Sequence, residues 1–405
     1  MKKNIMILLM VQIVNYIFPL ISIPYLAKTL GVYNYGIIAI YLSLLQYATI
    51  IVDFGFSFIS VRRISISIGE EEKINKIFSL TIYSKILIFL VLFLFSALYF
   101  YLTSNYNALN YLGLAAVSIF FGMFESSWLF QGLEKLAISS IISVLSRTVS
   151  FACIFWLVKE KSDIYPAIFC TSMGTFFSGV LSFAFIYIYG FAYFTKVTWE
   201  EIKIFFRDGF DIFISNITIT FYTTLNTILL GYFAGPTFVG YFSIADKLRF
   251  VAQGILTPVQ QALLPRVNRL INDGCTLKTV MDKYGKSFII LGAAISFCLY
   301  LFGYMFIKLY FGVTFLPSVA ILFTLAPLPF VISIAYVYGP WWLVGKGMLK
   351  IYRKTYLTFS LLHLGYAIPL IYSSSLYGIG ISILITEVLI TISFYKKASN
   401  LKIVS

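Results

Sequence analysis

Charge is what this sequence has least of. Lys, Arg, Asp and Glu fill 11% of 405 positions while hydrophobic residues fill 60%; a soluble domain carries roughly 25% charged and about 45–50% apolar residues. A soluble fold of this size cannot hide that much apolar surface, so lipid is the solvent for most of the chain. Histidine is nearly missing: His363 stands alone, and Cys153, Cys170, Cys275 and Cys298 are scattered without a CxxC pair. No His/Cys metal centre or disulfide framework follows, and no metal or cofactor is expected. No GxxxxGK[ST] motif is present, which argues against direct drive by ATP. Long polar segments are lacking too. The largest pieces between apolar runs have about twenty residues, too few for a catalytic domain.

What is present is a series of apolar runs, each long enough to cross a hydrocarbon core that takes ~20 helical residues. They fall near 5–27, 36–58, 78–102, 108–130, 136–158, 165–190, 209–233, 240–263, 287–308, 317–342, 355–373 and 376–395. The first, after Lys2-Lys3, exceeds the ~7–15 residues of a signal-peptide core and reads as a retained span. Basic residues alternate between the intervening segments. The N-terminus, segments 59–77, 131–135, 191–208, 264–286 and 343–354, and the C-terminus hold 22 Lys/Arg. The opposite segments hold four (Lys28, Lys159, Lys161 and Lys308), leaving Lys85, Arg147, Lys247 and Arg249 inside spans. The net charge of +14 is therefore a positive-inside signature that puts both termini in the cytoplasm. An odd number of spans would destroy the separation.

Six spans per half give the halves one orientation, and weak self-similarity agrees. Gly31 and Gly36 match Gly235 and Gly240 at an offset of 204, which also pairs Arg62 with Arg266 and Gln12 with Asn216. Trp128-x-x-x-Gly132 is echoed by Trp341-x-x-x-Gly345. The expected architecture is an all-α integral membrane protein of about twelve helices in two pseudo-symmetric six-helix lobes around a central cavity. The N-terminal lobe covers 1–190, a cytoplasmic linker 191–208, and the C-terminal lobe 209–405. The glycine pairs fall at turns, where glycine permits a left-handed backbone.

The segments YLAKTLGVYNYG, IVDFGFSFISVRR, WLFQGLEK and GYFSIADKLR resemble the polysaccharide-transport family, within the multidrug/oligosaccharidyl-lipid/polysaccharide exporter superfamily. The similarity covers nearly the whole chain. It implies a flippase of the bacterial inner membrane that moves an undecaprenyl-diphosphate-linked oligosaccharide, an O-antigen or similar surface polysaccharide repeat unit, from the cytoplasmic to the periplasmic leaflet. It further implies alternating access, proton or cation coupling in some members, and partnership with membrane lipid, polysaccharide polymerase and chain-length proteins rather than nucleic acid. A drug or cation antiporter of the same superfamily is the alternative within transport. A membrane-embedded polymerase or ligase would need a substantial outer loop, and every outer loop here is under about ten residues.

Charges inside the membrane mark pathways or partners. Arg147 lies eleven residues from either end of its span, at the midplane. Its planar guanidinium suits a diphosphate through paired hydrogen bonds, or it forms a buried pair with Glu125 or another carboxylate. Asp246 and Arg249 are three apart on one helical face and can pair, which leaves Lys247 the freer cation for phosphate. Lys85 is either a phosphate entry site or a lysine snorkelling back to the interface, the latter favoured. Asp53, Glu125, Asp246 and Glu387 match these bases in number; each is a candidate proton carrier in antiport, with a structural partner role the commoner case. His363, mid-span, reads as a hydrogen-bonded bundle histidine. Polar stripes at helical spacing point to cavity-lining faces: Asn216, Thr220, Thr223 and Thr227 in span seven, and Gln12, Asn15 and Ser22 in span one. Interhelical hydrogen bonding is the alternative. Pro19 and Pro24 suggest a bend near the outer end of span one.

The topology has a direct check. In a cysteine-free background, Gly274→Cys is expected to resist an impermeant thiol reagent in intact spheroplasts and to react after lysis. Labelling before lysis would overturn the assigned sidedness.

Overall fold

A computed structural model describes residues 2–103, 106–374 and 376–400; the side chains of 2–17, 106–110, 215, 218, 219 and 221–223 lie outside the described set. Among the described residues every regular element is helical. The chain forms two compact units, Met1–Leu30 with Tyr41–Ile217, and Gly31–Ile40 with Thr218–Ser405.

The first unit contains most of α1 (Lys2–Asp53), then α2 (Phe56–Ser65), α3 (Glu71–Leu102), α4 (Tyr106–Gly122), α5 (Ser127–Gly132), α6 (Leu136–Leu157), α7 (Ile164–Ile188) and the larger part of α8 (Trp199–Thr223). The second contains α9 (Leu225–Phe233), α10 (Pro236–Gln253), α11 (Leu256–Asn272), α12 (Leu277–Val280), α13 (Lys286–Tyr310), α14 (Pro317–Leu325), α15 (Leu328–Tyr336), α16 (Leu349–Ser373) and α17 (Gly378–Asn400). Every run expected to span falls on one or two of these helices, save that 317–342 crosses α14, α15 and the start of a π-helical stretch, Val337–Val344. Eight helices among the described residues are alone long and apolar enough to cross a membrane, and one of them, Phe18–Asp53, covers the second expected span and much of the first. The seventh and eighth spans are each assembled from two shorter helices, meeting at Thr224 and at Gly254–Ile255. The fold is all-α, with about twelve membrane helices in two lobes.

Each unit has its own core, centred on the repeated tryptophan. Trp128 packs with Ile64, Phe78, Phe130 and Ile186 in the first. Trp341 packs with Ile271, Phe288, Ile390 and Phe394 in the second. The glycine four residues on lets a neighbouring helix approach: a Cβ on Gly132 would meet Ile64 of α2 at 2.8 Å, and one on Gly345 would meet Ile271 of α11 at 2.7 Å. Regular helix fails just before Trp128, at Met123–Ser126, and around Trp341, which lies within a π-helical stretch over Val337–Val344.

The first glycine repeat is reproduced in backbone geometry. Gly31 has φ 75°, ψ 172° and Gly235 has φ 92°, ψ 170°. This is not the left-handed turn expected from sequence but an extended positive-φ region essentially reserved for glycine. The second pair packs reciprocally within unit two. A Cβ on Gly36 would lie 1.8 Å from the Pro236 carbonyl oxygen, and one on Gly240 would lie 2.3 Å from that of Val32.

The non-helical break in α1 falls at Gly31, with Pro19 and Pro24 inside the helix that precedes it. One local expectation is corrected. Segment 59–77, expected as a loop, is partly helical: α1 ends where Phe54 and Gly55 take positive φ, and α2 follows. Phe54 stacks on Phe213 with centroids 4.3 Å apart, and a Cβ on Gly55 would strike Ile212 at 2.7 Å, so α8 packs close against this corner.

Gly36→Ala and Gly240→Ala each place a methyl inside a backbone contact, and overpacking typically costs about 1–3 kcal/mol. Both are expected to lower the unfolding temperature of detergent-purified protein. An unchanged transition in either would contradict the reciprocal packing.

Candidate functional site

The corner at Phe54–Gly55 sets Asp53 at the end of α1 against α3. There Lys85 Nζ lies 2.8 Å from Asp53 Oδ1 and donates to Ser57 Oγ at 3.0 Å. Ser57 in turn donates to Asp53. Lys85 is 5% exposed, with Trp128 5.9 Å from its ammonium. The snorkelling expected for Lys85 is therefore overturned: its partner lies within the bundle, so the side chain has no need to reach the interface.

Glu125 sits in the irregular Met123–Ser126 segment, within electrostatic reach of both Lys85 and Arg147. The contact pair of Arg147 with Glu125 raised from sequence does not form; Arg147 makes no hydrogen bond or contact ion pair among the described residues. Its side chain is exposed on the surface of unit one, half-way along α6. On the same face, four and eight residues further, Phe151 and Phe155 stack on Phe18 and Tyr25 of α1 at centroid distances of 4.8 and 4.3 Å.

In unit two, Arg249 Nη2 contacts Asp246 Oδ1 at 2.7 Å, its Nε donates to the same oxygen at 2.9 Å, and it also bonds Gln253. Lys247 is exposed and makes no contact ion pair among the described residues. Glu387 of α17 is 8% exposed, in reach of Arg249 but not in contact with it. Cations are thus of two kinds, Lys85 and Arg249 tied to carboxylates, Arg147 and Lys247 exposed.

His363 is completely buried. Its Nδ1 lies 2.6 Å from Thr386 Oγ1 and its Nε2 2.7 Å from Asn226 Oδ1. Tyr366 Oη lies 2.6 Å from the same Thr386 oxygen. Sequence reading stepped over Asn226 and Thr386. The stripe traced through Thr220, Thr223 and Thr227 leaves Asn226 off its spacing, and Thr386 stands beside the more conspicuous Glu387.

Of the polar stripes, Thr220 is 6% exposed, Thr227 and Ser22 are half-buried and Asn216 is exposed. Asn216 and Thr220 already engage other groups. The side chains of Gln12, Asn15 and Thr223 lie outside the described residues. A cavity of 640 Å³ in unit one is lined by Leu114, Leu157, Tyr165, Pro166 and Phe169. Leu157 is ten residues from Arg147, about 15 Å along a helix, so this apolar space is not the anion site.

The fold is similar to that of solved transporters. The chain matches a solved inward-facing conformation of a multidrug resistance MATE family transporter of the MOP superfamily, with TM-score 0.74, 14% identity and 96% of each chain covered. It matches lipid II flippase MurJ in an inward closed conformation with TM-score 0.77 and 16% identity, over 96% of this chain and 87% of the other. These likenesses establish the fold alone. Residues 1–271 match the family described as "Polysaccharide biosynthesis protein". A "Putative O-antigen transporter" of Shigella dysenteriae is 32% identical over 396 residues, 98% of this chain and 99% of that protein. One of Escherichia coli strain K12 is 30% identical over 393 residues, 96% and 95% of the two chains. The chain belongs to this polysaccharide biosynthesis protein family of multi-pass membrane proteins.

The Lys85–Asp53 pair generates a prediction. Asp53→Asn strands a buried ammonium, and breaking one side of such a pair costs roughly 3–5 kcal/mol. Membrane levels of the variant are expected to fall several-fold, and the double variant Asp53→Asn/Lys85→Met to recover them. Full levels of the single variant would show that Lys85 is not held by this pair.

Proposed function

We propose that the protein is a transporter, not an enzyme, that flips an undecaprenyl-diphosphate-linked oligosaccharide, the O-antigen or a similar surface repeat unit. In this reading the cargo moves from the cytoplasmic to the periplasmic leaflet of the bacterial inner membrane by alternating access. The observation that carries it is Arg147. An exposed guanidinium at the midpoint of an apolar helix costs at least several kcal/mol in hydrocarbon, so its face of α6 meets water and cargo. A planar fork of donors there fits a diphosphate, and exposed Lys247 gives unit two a second phosphate partner. Both cations disfavour the drug or organic-cation antiporter reading. Lys85 and Arg249, already paired, rank behind them as cargo contacts. The names of the two close relatives support the same cargo class.

With no ATP motif in the chain, a proton gradient is the proposed drive, acting through a carboxylate that no contact ion pair occupies. Glu125 and Glu387 meet that condition, whereas Asp53 and Asp246 hold Lys85 and Arg249. Polymerase and chain-length proteins would take up the delivered unit.

Arg147→Ala is expected to abolish delivery of lipid-linked glycan to the outer leaflet, measured as surface polysaccharide at matched protein level, and Arg147→Lys to keep part of it. In reconstituted vesicles an imposed pH gradient should accelerate flipping, and Glu125→Gln or Glu387→Gln should remove the acceleration. Normal surface glycan with Arg147→Ala would remove that residue from the cargo site; equal rates with and without the gradient would end the proton-drive reading.

A further inference from the structure

The basic segments of the chain are not equally neutralised. Segments 59–77, 131–135, 191–208 and 264–286 each contain carboxylates. Cations there meet acids in the structure: Arg63 contacts Asp208 at 2.6 Å, Lys203 contacts Glu200 at 3.0 Å and Lys286 contacts Asp282 at 2.8 Å. Segment 343–354 and the last turns of α17 hold no carboxylate at all. Lys346, Lys350, Arg353, Lys354, Lys396 and Lys397 stand there without a contact ion pair among the described residues. The one acidic residue between 343 and 400 is Glu387. It lies ten residues from Lys397, about 15 Å along a helix.

Packing draws these cations together at one end of α16 and α17. Tyr352 and Tyr356 of α16 pack on Phe394 of α17 with ring centroids 5.3 and 5.6 Å apart. In the seam beside them Lys397 Nζ donates to Thr355 Oγ1 at 2.6 Å. Thr355 itself donates to the Ile351 carbonyl at 2.9 Å, so its hydroxyl holds the ammonium and has no hydrogen left for a ligand. Two of the three N–H groups of Lys397 remain for another acceptor. Lys354, exposed beside Thr355, is within electrostatic reach of Lys397. Like charges held close by packing gain from an anion shared between them. Further along both helices the exposed side chains turn apolar, with Leu357, Leu361 and Leu362 on α16 and Ile392 on α17. Tyr395, exposed beside Lys396, stands where these two surfaces meet, as interfacial tyrosines do.

We propose that the α16–α17 seam at Lys354 and Lys397 binds an anionic phospholipid of the surrounding bilayer. The phosphate sits between the two ammonium groups, with Lys350 and Arg353 at its margin, and the acyl chains lie along the apolar faces. Cations next to exposed hydrocarbon call for a ligand that is anionic at one end and apolar at the other; an acidic soluble partner has no match for the apolar part. The site lies wholly within unit two and does not depend on the nature of the cargo.

The test places the full chain, cysteine-free except for a fluorophore-labelled Thr358→Cys, in phosphatidylcholine vesicles. Position 358 is exposed one turn from Lys354. Phosphatidylglycerol carrying a nitroxide, at low mole fraction, is expected to quench the fluorophore about threefold or more strongly than phosphatidylcholine carrying the same group. Lys354→Gln/Lys397→Gln should remove the difference and Lys354→Arg/Lys397→Arg should keep it. Lys73→Gln/Lys203→Gln, which takes the same charge from unit one, should leave it intact. Equal quenching by the two lipids would overturn the proposal, as would loss of the difference in the unit-one control. Displacement of the labelled phosphatidylglycerol by millimolar inorganic phosphate at fixed ionic strength would point to a phosphate site and end the lipid assignment. Displacement by undecaprenyl phosphate at a lower mole fraction than unlabelled phosphatidylglycerol would end it in favour of a cargo lipid. Should the double variant fail to fold, Lys354→Gln alone changes an exposed side chain, and an undiminished difference there would equally refute the site.

Discussion

A charge inside hydrocarbon must be matched by a partner or by water, and the organisation of both units follows from that requirement. The chain carries four intramembrane cations, Lys85, Arg147, Lys247 and Arg249, with carboxylates in the same set of spans. Two cations are resolved by contact, Lys85 with Asp53 and Arg249 with Asp246. Arg147 and Lys247 are not, and both are exposed. Such groups are costly to hold in lipid at mid-helix, and in the proposed reading their faces belong to a hydrated path. Backbone obeys the same rule. The breaks at Met123–Ser126 and Thr224 lie beside Glu125 and Asn226, polar side chains at depths where an irregular backbone is tolerated only inside protein or along a cavity.

The repeat supplies the scaffold for these groups. Gly31 and Gly235 share a backbone conformation, and Gly36 and Gly240 each admit the carbonyl of the residue that follows the opposite positive-φ glycine. Trp128 and Trp341 occupy matching core positions, each followed by a glycine that admits α2 or α11. Built on one plan, each unit holds an intramembrane ion pair, Lys85 with Asp53 in the first and Arg249 with Asp246 in the second, and the second adds a hydrogen-bonding network around Tyr366 and Thr386.

Much of this was legible in sequence, for a physical reason. Span number, the glycine repeat and the Asp246–Arg249 pair rest on local periodicity or on a fixed offset, which a helix preserves. What was not legible are meetings between distant segments. Lys85 finds Asp53 across 32 positions and His363 finds Asn226 across 137, and no periodicity within one helix encodes either contact. Helix breaks at Gly254 and Thr224 fall inside segments whose length reads as one continuous span each.

The central claim is that an anionic lipid-linked glycan crosses this protein along the face that Arg147 occupies. Its most direct measurement uses purified protein in sealed vesicles that carry undecaprenyl-diphosphate-linked oligosaccharide in both leaflets. An impermeant glycan-modifying reagent added outside reads how much cargo reaches the outer surface. The account predicts that nearly all of the cargo becomes reactive with the wild-type protein, and only the outer-leaflet half with Arg147→Ala. Wild-type vesicles that leave the inner half protected while moving an organic cation would contradict it.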